Sequence, residues 1–208
     1  MRVVGADLSI TSTALALADR GELAGLFNNK TKGKKGDGYP EWMRRIDGVT
    51  RAVLSQLADW HFVDQLDLLV IEAPSHGSKF GNPHERAALW WAVYRWAWEW
   101  GIGIATVAPK TRQKYITGSG GSGITKKDVL AAAQATYGPR ITNDEEADAV
   151  GLADMGARHL GEPLVPELPA ANLTGMEVVK WPTVALTSAA SLRRHRPLPR
   201  AGGSPGSP

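Results

Sequence analysis

Two short apolar runs constrain the fold of this chain more than any other feature. Residues 66–72 read LDLLVIE and residues 102–108 read IGIATVA. Both are too short for typical helices and lack the polar alternation of a strand with one wet face. Strands of that kind are buried on both sides, which requires a sheet with helices packed on both faces. The flanking sequence supplies those helices. Apolar residues at 42, 46, 49, 53, 57 and 60 follow helical spacing across residues 41–60, and a second helical stretch covers 84–101. Pro109 is suited to the first turn of a short helix, and further helices are expected over 125–137 and 144–160. Before all of these, strand-forming stretches at 3–9, 13–18 and 22–27 are separated by tight connections. Asp19-Arg20-Gly21 makes a good hairpin turn. The expected order is βββ-α-β-α-β-α-α-α. It describes an α/β fold with a mixed five-stranded sheet, in which a three-strand antiparallel meander and parallel strands are flanked by helices.

The chain divides by composition as well. Residues 1–162 read as the globular domain, and 163–208 as a Pro-rich, basic C-terminal tail, partly disordered. The overall charge of +3 misleads. Residues 180–208 contain five basic and no acidic residues, so the first 179 carry 19 basic and 21 acidic residues. Any nucleic-acid surface on the body must therefore come from local clustering. The chain has no cysteine, which excludes disulfides and thiolate metal sites and suits a reducing compartment. The opening MRVVGADLSI is strand-like rather than a signal peptide. No uncharged apolar run approaches the roughly 18 residues of a membrane span. A cytoplasmic protein with no membrane partner is expected.

The candidate chemistry is acidic. Asp7 sits near the end of the first strand, and Glu72 ends the apolar strand LLVIE just before Pro74. A carboxylate there must be solvated, paired or bound to a cation. Glu145 and Asp148 share a helix face at i, i+3, with Asp144 beside them. The plainer reading of these acids is N-terminal helix chemistry, with Asn143 and Glu146 matching a capping box. Taken together, the set offers hard oxygen ligands suited to Mg²⁺ or Mn²⁺. Two such ions could support phosphodiester hydrolysis. Competing signatures are missing: the five histidines show no HExxH spacing, and GSGGSG (118–123) lacks the GK[ST] ending of a phosphate-binding loop.

Four segments resemble the RuvC-type Holliday junction resolvases of the RNase H-like superfamily. They are VVGADLSITSTALAL, VIEAPSHG, VAPKTRQKYITGSGGSGITKKDVLAAA and EEADAVGLAD, in that order over residues 2–160. The resemblance implies an RNase H-like fold and a metal-dependent endodeoxyribonuclease acting on branched DNA. It implies Asp7, Glu72, Glu145 and Asp148 as catalytic and metal-binding residues, with two Mg²⁺ or Mn²⁺ ions per active site. It also places a functional lysine at Lys126. The chain departs from the pattern in several places. Glu145 stands where Asp or His is usual. Ser75 occupies the place of an aromatic wedge, with Phe80 the nearest aromatic. The glycine loop is slightly longer, and the tail has no counterpart. A cytoplasmic setting in a bacterial cell or a phage-infected host follows from the same resemblance.

Lys34, Lys35, Lys79, Lys110, Arg112, Lys114, Lys126 and Lys127 are candidate DNA-binding residues, which would position phosphates rather than read bases. For any single lysine among them, an ordinary solvated side chain is the better reading. The helix over 84–101 holds five of the eight tryptophans. Ala87, Trp90, Trp91, Tyr94 and Trp98 share one side, and Leu89, Val93, Trp96 and Trp100 the other. A helix apolar on two opposed faces is normally buried on both. One face packs on the sheet. The other meets either a second helix of the chain or a partner, and the resemblance favours a homodimer through Leu89, Val93, Trp96 and Trp100. Two alternatives to the nuclease are a non-catalytic branched nucleic-acid-binding module and an ATP-dependent phosphotransferase. The chain is too short for the second domain that such a phosphotransferase needs, so no nucleotide cofactor is expected.

Overall fold

The computed structural model describes residues 1–34, 36–74 and 83–183. Its elements follow the expected order: β1 (Arg2–Asp7), β2 (Ser12–Asp19), β3 (Glu22–Lys30), α1 (Tyr39–Val63), β4 (Leu68–Glu72), α2 (Pro83–Glu99), β5 (Gly103–Val107), α3 (Pro109–Thr117), α4 (Lys126–Tyr137) and α5 (Asp144–His159). The five strands form one sheet in the order β3-β2-β1-β4-β5. β1, β2 and β3 pair antiparallel, while β4 lies parallel to both β1 and β5. In the β2–β3 hairpin, Arg20 and Gly21 both take positive φ, at 50° and 81°. That combination is the type I′ geometry whose twist matches paired strands.

Period-two alternation divides the core between the two faces of the sheet. Val4, Ala6, Leu15, Leu17, Leu69 and Ile71 pack under α1 and α2. Val3, Ala14, Ala16, Ala18, Leu68, Val70, Ala105 and Val107 face α5 with α3 and α4 beside it. Small residues on this second face let α5 approach closely. A Cβ on Gly5 would stand 3.0 Å from Ala153 Cα, and one on Gly156 would stand 2.6 Å from Val3 Cγ1. Both glycines are therefore required by space rather than by backbone angle. Gly5 and Asp7 have the same parity in β1, as do Val70 and Glu72 in β4. Both acids thus lie on the α5 face, at neighbouring strand ends, because Ala6 pairs with Ile71 in the parallel register.

Residues 163–183, expected to begin the tail, instead continue the domain, and 184–208 lie outside the described residues. Leu164 N–H donates to Asp154 Oδ1 at 2.7 Å, and the Asn172 side chain donates to Tyr115 O at 2.7 Å. Trp181 stacks on His159 with ring centres 4.5 Å apart. A short helix, α6 (Ala170–Leu173), and a 3-10 turn (Met176–Val178) carry this chain across α3. The contacts come from Leu164, Leu168, Leu173, Met176 and Val179 at irregular spacing, so no periodicity announced them. Asp154, fully buried, also accepts from Tyr115 Oη at 2.8 Å and Tyr137 Oη at 3.0 Å. Among the described residues no helix is long and apolar enough to cross a membrane.

Candidate active site

The acids assemble where the sheet topology brings β1, β4, α3 and α5 to one end. Asp7 and Glu72 come from adjacent strand ends, and Glu145 and Asp148 from the first turns of α5. The start of α5 is fixed by its cap. Asn143 accepts from Glu146 N–H at 2.9 Å. The second half of the expected capping box is replaced, because the Glu146 carboxylate accepts from Thr142 N–H at 2.7 Å and Thr142 Oγ1 at 2.9 Å. The end of β4 is anchored by Trp90, whose Nε1 donates to Glu72 O at 3.0 Å.

A basic residue sits inside this cluster. Arg112, on α3, donates from Nε to Glu72 Oε2 at 2.8 Å and reaches the same oxygen through Nη2 at 2.5 Å. Its Nη1 pairs with Asp148. The side chains of Arg112, Glu72 and Asp148 are only 10%, 15% and 14% exposed. Arg112 is thus no surface phosphate contact in the free protein, contrary to the sequence expectation. Its neighbours at i+3 and i+4, Tyr115 and Ile116, are buried with it.

The Asp7 carboxyl is pushed up to about 7, first by burial and next by the charge of Glu72. Arg112 opposes this, Glu145 adds to it and Lys126 opposes it. Lys126, at the start of α4, pairs with Asp144. That hydrogen bond is the largest influence raising its ammonium pKa, against burial. Thr125 caps the same helix through a reciprocal pair with Asp128.

The cluster suits a hard cation by its chemistry. Asp7, Glu72, Glu145 and Asp148 offer only oxygen donors. Among the described residues the Asp7 carboxylate has no hydrogen-bond or ion-pair partner, although it is half-buried with the charge of Glu72 beside it. A carboxylate so placed calls for a proton or a positive charge. In the same residues no three acidic or histidine side chains close on one point as metal ligands do. Between Glu72 and Asp148 the guanidinium of Arg112 holds that place.

The other described basic candidates lie on α3, on α4 and in the loop after β3. Lys110 and Lys127 are exposed and Lys114 is half-buried on the same helices. Lys34 is exposed in the loop after β3, whose last residues lie alongside Ser12 and Thr13 near the Asp7 end. Lys35, Lys79, Ser75 and Phe80 lie outside the described residues.

The tryptophan helix corrects the expected dimer face. Leu89 and Val93 are fully buried against the sheet together with Ala97. Trp96 and Trp100 pack on the end of α1, with ring centres 5.9 and 5.3 Å from His61, and Trp100 lies 5.1 Å from Phe62. Trp100 keeps 40% of its surface exposed there, and the opposite side of α2 is the more open, with Trp91 62% and Trp98 70% exposed.

No protein-family model and no curated protein matches the sequence. Solved structures do match. Thermus thermophilus RuvC in complex with a Holliday junction substrate superposes with a TM-score of 0.56 at 16% identity. A second Thermus thermophilus RuvC structure gives 0.55 at 19% identity. In both cases the match covers 78% of this chain and 98% of the other. This chain has the RuvC fold. Nearly the whole RuvC chain is matched, so what remains of this chain is additional to the RuvC fold.

Proposed function

We propose that this chain is a divalent-metal-dependent endodeoxyribonuclease that cuts branched DNA, with the four-way junction as its principal substrate. The observation that carries this reading is an acid cluster at one end of a RuvC-fold sheet, where the charges of Glu72 and Glu145 raise the Asp7 carboxyl and Arg112 pairs with both Glu72 and Asp148. The Thermus thermophilus RuvC of the same fold is described with a Holliday junction substrate, which suggests the substrate class. Asp7, Glu72 and Asp148 would hold Mg²⁺ or Mn²⁺, and Glu145 would serve as a further ligand or carry a proton at the attacking water. When bound, the metal supplies Lewis-acid and water-activating chemistry for phosphodiester hydrolysis. The protein's own part is orientation. The strand ends fix Asp7 and Glu72, and the capped start of α5 fixes Glu145 and Asp148. Lys34, Lys110, Lys114, Lys126 and Lys127 hold phosphates around this end and contribute sequence-independent affinity.

A homodimer suits a two-fold junction. We assign its interface to the outward face of α2, through Trp91 and Trp98, in place of Leu89 and Val93. We place the activity in the cytoplasm.

A second reading has a specific observation in its favour. Arg112 already pairs with both Glu72 and Asp148, as a non-catalytic binding module would allow. The two readings separate on Asp7→Asn. The nuclease reading expects this variant to bind a junction as wild type does and to cut nothing. Loss of both activities would remove the metal-site assignment, and a wild type that binds but never cuts would support the binding module.

A further inference from the structure

We propose that Arg112 is a resident counter-ion of the acid site, which a divalent cation must displace before Glu72 and Asp148 can ligate it. The inference rests on the reading of these carboxylates as a metal site. Its basis is the position of the guanidinium between the two carboxylates. Glu72 Oε2 accepts from both Nε and Nη2 of Arg112, at 2.8 and 2.5 Å, and Asp148 is engaged by Nη1. A hard cation shared by these two carboxylates would meet the guanidinium's positive charge at the same place. Guanidinium and metal therefore compete, and the apparent metal affinity falls by the work of removing the guanidinium.

The surroundings show which part of Arg112 moves. Its helix is held from several sides. Asn172 binds the carbonyl of Tyr115, Tyr115 Oη binds Asp154, and Gly175 abuts Thr111. The backbone therefore stays, and the side chain swings. A guanidinium buried in this way is stable only while the carboxylates balance it. A cation that neutralises the carboxylates removes the reason for it to stay. Arg112 is on this account a positioning residue. It keeps Glu72 and Asp148 apart from other partners in the free protein and yields its place when metal arrives.

The test measures Mn²⁺ binding without DNA, by the spin-resonance signal of free Mn²⁺, in wild type, Arg112→Gln and Arg112→Lys. Arg112→Gln is expected to bind at least about tenfold tighter than wild type. Arg112→Lys, which keeps the charge but cannot bridge two carboxylates, should fall between them. Binding at unchanged or weaker affinity in Arg112→Gln overturns the proposal alone. No binding in any of the three proteins overturns it together with the metal reading. Should the variants fail to fold, the Arg112 Nε–H resonance of wild type decides the matter during Mg²⁺ titration. Its loss of protection from solvent exchange at saturation supports displacement, and a resonance unchanged at saturation overturns it.

Discussion

Gly5→Ala tests how the fold holds the site. A Cβ on Gly5 would lie 3.0 Å from Ala153 Cα, and nearer still to the Ala149 carbonyl oxygen and the Ala153 amide nitrogen. All three are backbone atoms of α5, so no side chain can turn away to make room. Carbon atoms rest at about 3.5–4.0 Å, which obliges α5 to retreat from β1 by about 1 Å. Forced overpacking of this kind costs about 1–3 kcal/mol. For a domain of this size each kcal/mol lowers Tm by about 2–4 °C, giving an expected drop of about 2–12 °C. The functional effect should exceed the thermal one. Asp7 stands on β1 and Glu145 and Asp148 on α5, and a misplacement of about 1 Å between reacting groups costs about 10²-fold in rate. The assays are thermal unfolding and metal-dependent junction cleavage. Gly48→Ala on α1 is the control. A Cβ there meets nothing within 4 Å, so that variant should be neutral or more stable by about 0.5–1 kcal/mol. A Gly5→Ala protein that melts within about 1 °C of wild type and cuts at the wild-type rate would refute the reasoning.

The other predictions address the charge of Asp7, the C-terminal segment and the outer face of α2. The Asp7 carboxyl titrates near 7 in the folded protein against an ordinary 3.8, so the folded state holds the extra proton between those values. Its contribution to stability is full below the ordinary value and is lost as pH rises through about 7. In EDTA, Asp7→Asn should therefore gain more Tm over wild type at pH 8 than at pH 5, with about 4 kcal/mol as the upper limit; an equal gain at both would contradict the assignment. Asn172→Ala leaves the Tyr115 carbonyl without its buried donor and should cost about 1–3 kcal/mol in chemical denaturation; no loss would mean that the segment after 162 only rests on the domain. Trp98→Glu should shift the mass measured by light scattering from dimer to monomer with Tm preserved, whereas Val93→Ala should lower Tm with the mass unchanged.

Most of the fold was legible because its periodicities are clean. The meander, the two buried strands and the helices through α5 all follow from spacing, and the strand-end acids fell on one face through period two alone. What escaped the sequence did so for physical reasons. α2 is apolar on opposed sides, and periodicity does not say which side meets the sheet. Leu89, Val93 and Ala97 pack flat against it, while the bulkier Trp91 and Trp98 are left outside. Arg112 read as a phosphate contact because most arginines are solvated. The sign of its burial was its place at i−3 and i−4 to Tyr115 and Ile116, which share its helix face. The segment after 162 is held by single hydrogen bonds and scattered apolar contacts, which leave no repeating pattern to detect.

The most direct test of the central claim is cleavage of a synthetic four-way junction, set against a linear duplex of the same sequence, with Mg²⁺, with Mn²⁺ and with EDTA. The account predicts paired, symmetric nicks in the junction alone, present with either metal and abolished by EDTA. Tight junction binding with no cutting under any metal would contradict the nuclease, and equal cutting of junction and duplex would contradict its selectivity for branched DNA.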